Sequence, residues 1–475
     1  MKYLSVLFAF ILGSGLVFVY TSATTVKNCA DGPAMVITEK YCPETGVHPV
    51  RTLALQSRFN PLMIPEAPEG GAHPIGGPAF VFTKNANEIL KPLDLEFQFH
   101  GWGSIPASDV DQVASSFSMT QGEDTFATLH HAVAAGPNKG GPAMGIGLSN
   151  MTGTEYGHLL VAGLPFGLEP DEFSAWLYEG GGLKLQQELY DDTFNENLIV
   201  LPVGITSTQG GGWFPEELPN SMGTLCRKPW IVRWPETGSS IWQTACQNAR
   251  IETRNIRSGT RCANTNKACP ANDNPITHAD KNLSFGGFVP GGLPHKMLHM
   301  GHINAWELNL PYTDVLLMKL VLGLVDTPNE QADISPIIDK APYLYGGNWH
   351  QTLSYIELII NKDVWASLSP EQRAAIHMAA RASTLKSWTI GLQKQDEGIR
   401  LLQKNGAQIR TWPKALLTDL RVAADQYLDT RADELSAQDK NAFRRVLDHM
   451  RDWQKKHAIY NDFGDLAQGD ARSQE

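Results

Sequence analysis

The sequence predicts an α/β fold in which lobes of strands and helices are clasped by long C-terminal helices. Two observations predict it. Short apolar runs of strand length alternate with helical segments through the middle of the chain, and the last third is mostly helical. The 475 residues suffice for two or three ordinary domains, and 42% hydrophobic with 19% charged residues is a globular composition.

The N-terminus predicts export. Lys2 precedes a mostly apolar run, Tyr3–Tyr20, and small residues follow up to Ala23, which is the pattern of a secretory signal. We therefore expect residues 1–23 to be a signal peptide cleaved near Ala23 and the mature protein to lie in the periplasm. An uncleaved membrane anchor is the alternative, because the apolar run is long for a signal.

The patterning of the rest of the chain sets the expected domain boundaries. Residues 24–90 are expected to form an irregular extension, because they are rich in proline and glycine. Residues 91–200 are assigned mainly to lobe 1 and residues 201–345 mainly to lobe 2, with a polar, cysteine-rich insertion at about 245–283. Residues 346–475 are expected to be a helical region that clasps both lobes.

Individual segments justify these assignments in order. A half-buried strand is predicted at Leu93–His100, where apolar and polar residues alternate. Further strands are predicted where apolar or β-prone runs are short, at Ala143–Leu148, Leu198–Val203 and Ile231–Trp234. Helices are predicted at Glu169–Tyr190 with a glycine interruption, from Ser369 as an N-cap to Gly406, and at Pro413–Glu434 and Ser436–Lys456.

The six cysteines favour disulfides, because an even count in an exported chain is typical of bridges and no CxxC pair is present. Their clustering predicts Cys29–Cys42 as one bridge and two more among Cys226, Cys246, Cys262 and Cys269. The net charge of −11 without basic blocks argues against a nucleic-acid partner. The chain also lacks the serine-hydrolase motif G-x-S-x-G and a P-loop.

A glycine-rich turn after a strand is the first candidate for a ligand site. Leu198–Val203 is followed by Gln209, then Gly210–Gly212, then Trp213 and Phe214. Three glycines let the backbone approach a neighbour closely, and a polar turn at a strand end often borders a cleft. The alternative is a surface loop whose aromatic residues fill a core.

Two charged residues in apolar surroundings are further candidates. Glu307 in such a stretch needs a partner, because an unpaired buried charge is costly. A hard cation such as Ca²⁺ or Na⁺ fits, because it prefers oxygen ligands. Gln209 could supply its amide oxygen as a second ligand. Arg233 interrupts a β-prone run and suits the capture of a ligand carboxylate. The alternatives are a salt-bridged surface glutamate and an arginine paired with Glu236.

A row of histidines supports a competing hypothesis. His295, His299 and His302 have i, i+4, i+7 spacing, and two histidines at i, i+4 on a helix can bind one metal ion. An exported metal-dependent enzyme is therefore an alternative. An ordinary half-exposed helix face is the simpler interpretation, because no HExxH motif is present.

Several stretches taken together carry a family resemblance. They are LPFGLEPDEFSAWLYEGGG (164–182), LPVGITSTQGGGWFPEEL (201–218), IVRWPETGSSIW (231–242), VPGGLPHKMLHMGHINAWELNLPYTD (289–314) and YLYGGNWHQ (343–351). In order and spacing the chain resembles the extracytoplasmic solute-binding proteins of tripartite ATP-independent periplasmic (TRAP) transporters. The resemblance is strongest to the branch that binds 2-oxo or 2-hydroxy acids.

The resemblance implies a two-lobed fold like that of periplasmic binding proteins, with mixed sheets. It further implies capture of a small organic acid with a cation, Ca²⁺ or Na⁺, and delivery to a membrane permease rather than catalysis. Gln209 and Glu307 match the metal-binding glutamine and glutamate, and Leu308 matches a residue that contributes its backbone carbonyl. Arg233 matches the arginine that pairs with the substrate carboxylate, and Phe166 and Gln209 are assigned to the substrate-binding residues.

Departures from the family pattern keep other roles open. Trp234-Pro235-Glu236 replaces the usual glycine-leucine-glycine after the arginine, and Gln351 replaces a glutamate. Besides the metal-dependent enzyme, a sensing or assembly protein on the same scaffold is therefore an alternative. The long C-terminal helices could also support a homodimer.

Overall fold

The structure is a computed structural model that describes residues 51–57, 77–101, 125–139, 142–148, 159–160, 164–192, 197–256, 283–286, 293–307, 310–325, 327–347 and 349–472. Within these residues twelve strands form two mixed sheets. Both sheets contain parallel and antiparallel pairs. The predicted α/β class with mixed sheets is confirmed.

The strands, in chain order, are β1 Arg51–Ser57, β2 Leu95–Gly101, β3 Met144–Leu148, β4 Leu198–Ile205, β5 Gly212–Phe214, β6 Ile231–Arg233, β7 Arg254–Ile256, β8 Ser284–Gly286, β9 Ala305–Trp306, β10 Tyr343–Tyr345, β11 Tyr355–Asn361 and β12 Gln408–Arg410. The first sheet has the order β2-β1-β3-β11-β4, and the second has the order β12-β10-β5-β9-β6-β8-β7.

The helices, in chain order, are α1 Gly77–Leu90, α2 Thr125–Ala135, α3 Pro170–Tyr178, α4 Gly182–Asp192, α5 Met222–Leu225, α6 Glu236–Asn248, α7 Leu293–His299, α8 Pro311–Val321, α9 Ser335–Ile338, α10 Lys362–Ser367, α11 Pro370–Lys404, α12 Lys414–Glu434 and α13 Ala437–Arg472. No helix in the described ranges is both long enough and apolar enough to cross a bilayer.

Helices cover both faces of the first sheet, and together they form the first lobe. Side chains along a strand point alternately to opposite faces. Leu198 and Tyr355 accordingly pack with α3, α4 and α13, whereas Leu201 and Ile356 pack with α1 and α11. Because both faces are buried, β4 and β11 are almost continuously apolar.

The second sheet and its helices form the second lobe in the same way. Phe214 and Val232 face a core shared with α6 and α12, whereas Trp213 and Ile231 face a core shared with α7, α8 and the end of α11. A disulfide between Cys226 and Cys246 joins the end of α5 to α6. This is one bridge among the later four cysteines, and the other four cysteines lie outside the described residues.

Two segments carry the chain between the sheets. The first crossing segment, residues 206–211, leads from β4 to β5, and the second crossing segment, residues 346–354, leads from β10 back to β11. The 35-residue helix α11 also contributes to both lobes, with Ile376 in a first-lobe core and Leu401 in a second-lobe core. The crossing segments are therefore held at the junction of the lobes.

The prediction of an irregular extension over residues 24–90 is wrong for β1 and α1. Strand β1 is an interior strand of the first sheet and pairs in parallel with β2 and β3. Its partners lie about 40 and 90 residues away in the chain, so no local pattern marks the pairing. Residues 1–50, including the predicted signal peptide, lie outside the described residues.

Two further boundaries differ from expectation. Strand β4 continues to Ile205, so the passage to the second sheet follows residue 205 rather than residue 200. Helix α6 continues to Asn248, and β7 adds an edge strand to the second sheet, so regular structure extends into the predicted insertion. Residues 257–282 lie outside the described residues.

The predicted C-terminal helices are present. The Ser369 hydroxyl accepts the Gln372 N–H at 3.2 Å, and the Gln372 side chain accepts the Ser369 N–H at 3.0 Å, which forms a capping box at the start of α11. Gly406, with φ of +100°, follows its end. These local signals made the helix readable from sequence.

Candidate functional site

The two crossing segments lie side by side and are joined by hydrogen bonds. The Thr206 N–H donates to the Ser354 carbonyl at 3.0 Å, and the Ser354 N–H donates to the Thr206 hydroxyl at 2.8 Å. At the other end the Gly211 N–H donates to the Tyr345 carbonyl at 2.7 Å. Side chains from either segment can therefore meet at the junction of the lobes.

Two glycines at the passage from the first crossing segment to β5, Gly211 and Gly212, permit this close packing. Gly212 has φ of +121°, a conformation that side-chain-bearing residues rarely adopt. A Cβ atom at Gly212 would collide with the Trp234 indole, and one at Gly211 would collide with Trp412 and the Gly347 carbonyl. The glycines thus bring the turn that carries Gln209 against both the second crossing segment and the end of β6.

Gln209 is buried beside the second crossing segment with half of its amide satisfied. Its side chain is 5% exposed, and its Nε2 donates to the Ser354 hydroxyl at 2.8 Å. Its Oε1 has no hydrogen-bond partner among the described residues. Leaving a buried carbonyl oxygen unsatisfied costs about 1–3 kcal/mol. This oxygen is suited to receive a donor or a cation.

Arg233 and Glu307 meet at the ends of neighbouring parallel strands. Strand β6 ends at Arg233, and Glu307 directly follows β9, which pairs in parallel with β6. The Glu307 N–H donates to the Arg233 carbonyl at 3.1 Å, and the Arg233 guanidinium donates to the Glu307 carbonyl. Each residue is only 1% exposed. Carboxyl ends of parallel strands are a common location for ligand sites in α/β proteins.

The charges of Arg233 and Glu307 partly offset the cost of burying each other. Burial lowers the pKa of the Arg233 guanidinium, and the negative charge of Glu307 opposes that shift. Arginine nevertheless stays protonated in proteins. An unpaired buried charge is strongly destabilising, so each side chain depends on an opposite charge nearby.

His350 is a further neighbour of Glu307, although its position in the sequence did not single it out. Its Nε2 lies 3.5 Å from the Glu307 carboxylate, which is too long for a strong hydrogen bond. Its ring packs against Trp234 and Trp349. The Trp-His pair was visible in the sequence, but only folding shows that the second crossing segment brings His350 to Glu307.

Phe166 lies at the edge of this site. Its backbone has φ of 54°, and its N–H donates to the Trp349 carbonyl at 2.6 Å. Its ring stacks on Trp349 with a centroid separation of 5.7 Å. A left-handed backbone at a phenylalanine is unusual and tends to occur where the surroundings impose it. Phe166 is thus linked through Trp349 to His350, while its contact with a ligand stays a prediction.

The histidine row does not form a shared face. His295 is fully buried in α7, whereas His299 is exposed at the last residue of that helix and His302 lies beyond it. Among the described residues no group of three or more histidine, cysteine or acidic side chains could hold a metal ion. The metal-dependent enzyme therefore loses the feature that suggested it. Leu308 lies outside the described residues.

A family comparison agrees with this geometry. Residues 339–435 match the family described as bacterial extracellular solute-binding protein, family 7 (DctP), a family of binding proteins rather than enzymes. A monocarboxylate 2-oxoacid-binding periplasmic protein of Nostoc sp. (strain PCC 7120) is 24% identical over 304 residues, which is 64% of this chain and 65% of that protein. The matched region thus spans about two thirds of the relative's length.

Solved structures share the fold. A TRAP periplasmic solute-binding protein from Colwellia psychrerythraea with bound calcium and pyruvate is 19% identical, with a TM-score of 0.59 over 88% of this chain and 99% of that chain. One from Pseudoalteromonas atlantica T6c with bound sodium and pyruvate is 18% identical, with a TM-score of 0.57 over 88% and 97% of the two chains. Residues 339–435 are therefore similar to the family 7 bacterial extracellular solute-binding proteins, and the described chain has the fold of the TRAP solute-binding proteins.

Proposed function

We propose that this protein is an extracytoplasmic solute-binding protein that captures a small 2-oxo or 2-hydroxy monocarboxylate together with a cation. The observations that carry the proposal are the buried pair of opposite charges, Arg233 and Glu307, and the buried, unsatisfied Oε1 of Gln209 in the first crossing segment. The 2-oxoacid-binding relative and the pyruvate-bound structures of similar fold support the class of ligand.

Charge balance explains why acid and cation would bind together. The ligand carboxylate would pair with the Arg233 guanidinium through charge-assisted hydrogen bonds. The cation would then compensate Glu307, so no net charge is added to a buried site. Either species alone would leave an uncompensated charge, which is costly in a dry environment. We therefore expect the acid and the cation to strengthen each other's binding.

The donor set fits a hard cation. Carboxylate, amide and backbone carbonyl oxygens are the ligands that Ca²⁺ prefers, and such ligands also suit Na⁺. Glu307 and Gln209 would supply the first two kinds of oxygen, and the carbonyl of Leu308 is proposed as a third. When bound, the cation would polarise the 2-oxo or 2-hydroxy oxygen of the ligand and so select acids that carry one. Phe166 is proposed to border the ligand.

The arrangement of the two lobes supports capture by closure. We assign the first sheet with its helices to one lobe and residues 206–345 to the other, linked by the two crossing segments and by α11. Hinge motion of a few residues in such links is a common way to enclose a ligand. On this hypothesis the protein acts in the periplasm after loss of residues 1–23, performs no catalysis, and delivers its ligand to a TRAP-type permease.

Calorimetry on protein stripped of metal with a chelator tests this function. We expect pyruvate or lactate to bind in the presence of Ca²⁺ and to stabilise the fold by about 2.7 kcal/mol at a concentration of about 100 times the dissociation constant. Propionate, which lacks the 2-oxygen, is the matched control and should bind much more weakly. Absence of binding and of thermal stabilisation by either acid, with Ca²⁺ or Na⁺, would overturn the proposal.

A homodimer through α11 is the oligomeric state that the surface supports. The side chains of Met378, Leu385 and Leu392 recur every seven residues on α11 and are 64%, 60% and 49% exposed. A heptad-spaced apolar stripe on a long helix is the pattern of a helix-helix interface. A two-fold axis near Leu385 would place Met378 of one copy beside Leu392 of the other, a self-complementary arrangement.

Light scattering across a concentration series tests the dimer. We expect the wild-type protein to be dimeric and Leu385→Glu to be monomeric, because a buried unpaired carboxylate at the two-fold axis would face its own copy. Leu320→Glu, at an exposed leucine of α8, is the matched control and should stay dimeric. A monomeric wild-type protein at every concentration would contradict this arrangement without affecting the ligand proposal.

A further inference from the structure

A buried cluster outside the proposed site joins the two segments that carry Gln209 and Glu307. It consists of Trp213, Trp306, Asp314 and His295, which are between 0% and 2% exposed. The glycine turn is the segment Gln209–Gly212, and Trp213 directly follows it. Trp306 directly precedes Glu307. Movement of either indole would therefore be transmitted through the backbone to a proposed cation ligand.

The two tryptophans are stacked across neighbouring strands. They are direct partners in the antiparallel pairing of β5 with β9, and their rings lie 5.2 Å apart at an angle of 4°. Aromatic pairs of this kind contribute stability beyond the area they bury. The stack fixes the end of the first crossing segment relative to the strand that leads to Glu307.

Asp314 of α8 accepts a hydrogen bond from one of the stacked tryptophans and contacts His295, which packs against the other. One carboxylate oxygen accepts the Trp213 indole N–H at 2.8 Å, and the other lies 3.2 Å from Nε2 of His295. The His295 ring meets Trp306 edge-on at 5.4 Å. The aspartate is thus connected to one indole directly and to the other through the histidine that the sequence had suggested as a metal ligand.

The residue before Gln209, Thr208, is also connected to helix α8, through Gln395 of α11. Gln395 of α11 donates its Nε2 to the Thr208 carbonyl at 3.3 Å, and its Oε1 accepts the Tyr312 N–H at 3.3 Å. Tyr312 lies two residues before Asp314 in α8. The turn is therefore attached to α8 on both sides of Gln209, through Gln395 at Thr208 and through Asp314 at Trp213.

We propose that Asp314 and His295 are positioning residues for the cation site: through Trp213 and Trp306 they set the distance between the Gln209 turn and Glu307. This inference rests on the function proposed above. Packing alone would not require a carboxylate here, because an apolar side chain of similar size fills a buried position without a desolvation cost. Residues that orient metal ligands commonly change metal affinity by 10–100-fold when they are replaced.

Ca²⁺ affinity and amide hydrogen exchange in the purified full chain provide the test. Asp314→Leu keeps the number and branching of the side-chain heavy atoms and removes the acceptor, so we expect about tenfold weaker Ca²⁺ binding and faster exchange of the amides of residues 209–213. Asp314→Asn can still accept the Trp213 N–H through its amide oxygen and should restore most of both. Glu357→Gln, a buried carboxylate in the first lobe, is the matched control and should change neither.

A double-mutant cycle separates positioning from general destabilisation. If Asp314 acts on the cation through the Gln209 turn, Asp314→Leu should weaken Ca²⁺ binding much less in a Gln209→Leu background than in the wild type. Independent effects that simply add would overturn the proposal.

The outcomes also distinguish this inference from the proposed function. Unchanged exchange of residues 209–213 in Asp314→Leu, or in Trp213→Phe should the first variant not fold, would overturn the positioning role even if Ca²⁺ binds. Absence of Ca²⁺ binding by the wild type would instead reject the proposed cation site, and the exchange rates would still decide whether Asp314 holds the turn.

Discussion

Glu307 and Glu357 are two equally buried glutamates with different surroundings. Each is at most 1% exposed and belongs to, or directly follows, an interior strand of its sheet. Glu357 accepts hydrogen bonds from the Gln186 amide at 2.5 Å and from the Tyr190 hydroxyl at 2.6 Å. Glu307 instead has a guanidinium and an imidazole as neighbours, Arg233 and His350.

Because both glutamates are equally buried, burial alone does not distinguish a structural carboxylate from a candidate ligand-binding one. The neighbouring side chains of each carboxylate do. These two donors to Glu357 are neutral and come from α4 of its own lobe, and Tyr355 adds a further bond to Gln186. Burial and the charge of Glu357 raise the pKa of Tyr355 well above its usual range, so its hydroxyl stays protonated. The partners of Glu307 are charged or titratable and lie where two lobes meet.

The largest expected effect is on ligand binding by Glu307→Gln. The substitution keeps the volume and removes the charge that would compensate the cation, and it leaves Arg233 buried without its counter-charge. We expect the affinity for Ca²⁺ and pyruvate together to fall at least about 100-fold, which corresponds to about 2.7 kcal/mol. Calorimetry measures this, and affinity within twofold of wild type would contradict the assignment of Glu307.

Glu357→Gln should lower stability and leave ligand affinity unchanged. A glutamine there presents an amide NH₂ to donors that need acceptors, so at least one buried polar group loses its partner. We expect the free energy of unfolding to fall by about 2 kcal/mol in urea titrations, with ligand affinity unchanged. A clear loss of ligand affinity in a folded Glu357→Gln variant would break the comparison between the two glutamates.

A smaller effect is expected for Gln209→Leu. Leucine is similar in size and removes the amide oxygen proposed for the cation, while only one hydrogen bond, to Ser354, is lost in the free protein. We expect about tenfold weaker Ca²⁺ binding, about 1.4 kcal/mol, with unfolding free energy changed by no more than about 1 kcal/mol. Gln351→Leu is the matched control, because the amide of Gln351 also donates to the Ser354 hydroxyl.

The smallest effect concerns the pH dependence of stability at Glu169. Its carboxylate accepts the Thr208 hydroxyl at 2.9 Å and so ties the first crossing segment to the start of α3. Partial desolvation raises the pKa of Glu169 above its usual 4.5, although the Thr208 hydrogen bond opposes the shift. A raised folded pKa gives stability that is fully present below the unfolded pKa and lost as pH rises through the folded pKa.

Comparison with Glu169→Gln isolates this contribution. The unfolding free energy of the wild type relative to the variant should be most favourable below pH 4.5 and should decline slightly as the pH rises. Urea titrations of both proteins on either side of this window measure the difference. A relative stability that rises with pH would show that the hydrogen bond to the ionised form outweighs desolvation.

Local patterns account for what could be predicted of the fold. The apolar run at β4, the capping box at Ser369 and the glycine after α11 depend on residues close in the chain, and the structure has all three. Strand β1 was missed because its stability comes from pairing with distant strands. In the site, Arg233 and Glu307 stood out because charges are unusual in apolar stretches.

The sequence by itself determined the class of fold, the helical C-terminal region and the residues whose chemistry suits an acid and a cation, because these follow from composition, periodicity and resemblance. Only the tertiary structure decided which of them meet. It buried His295 against Asp314 while leaving His299 exposed, and it brought His350 from the second crossing segment to Glu307. The physical reason is that these contacts join residues 19 and 43 positions apart, where only sheet pairing and helix packing set the distance.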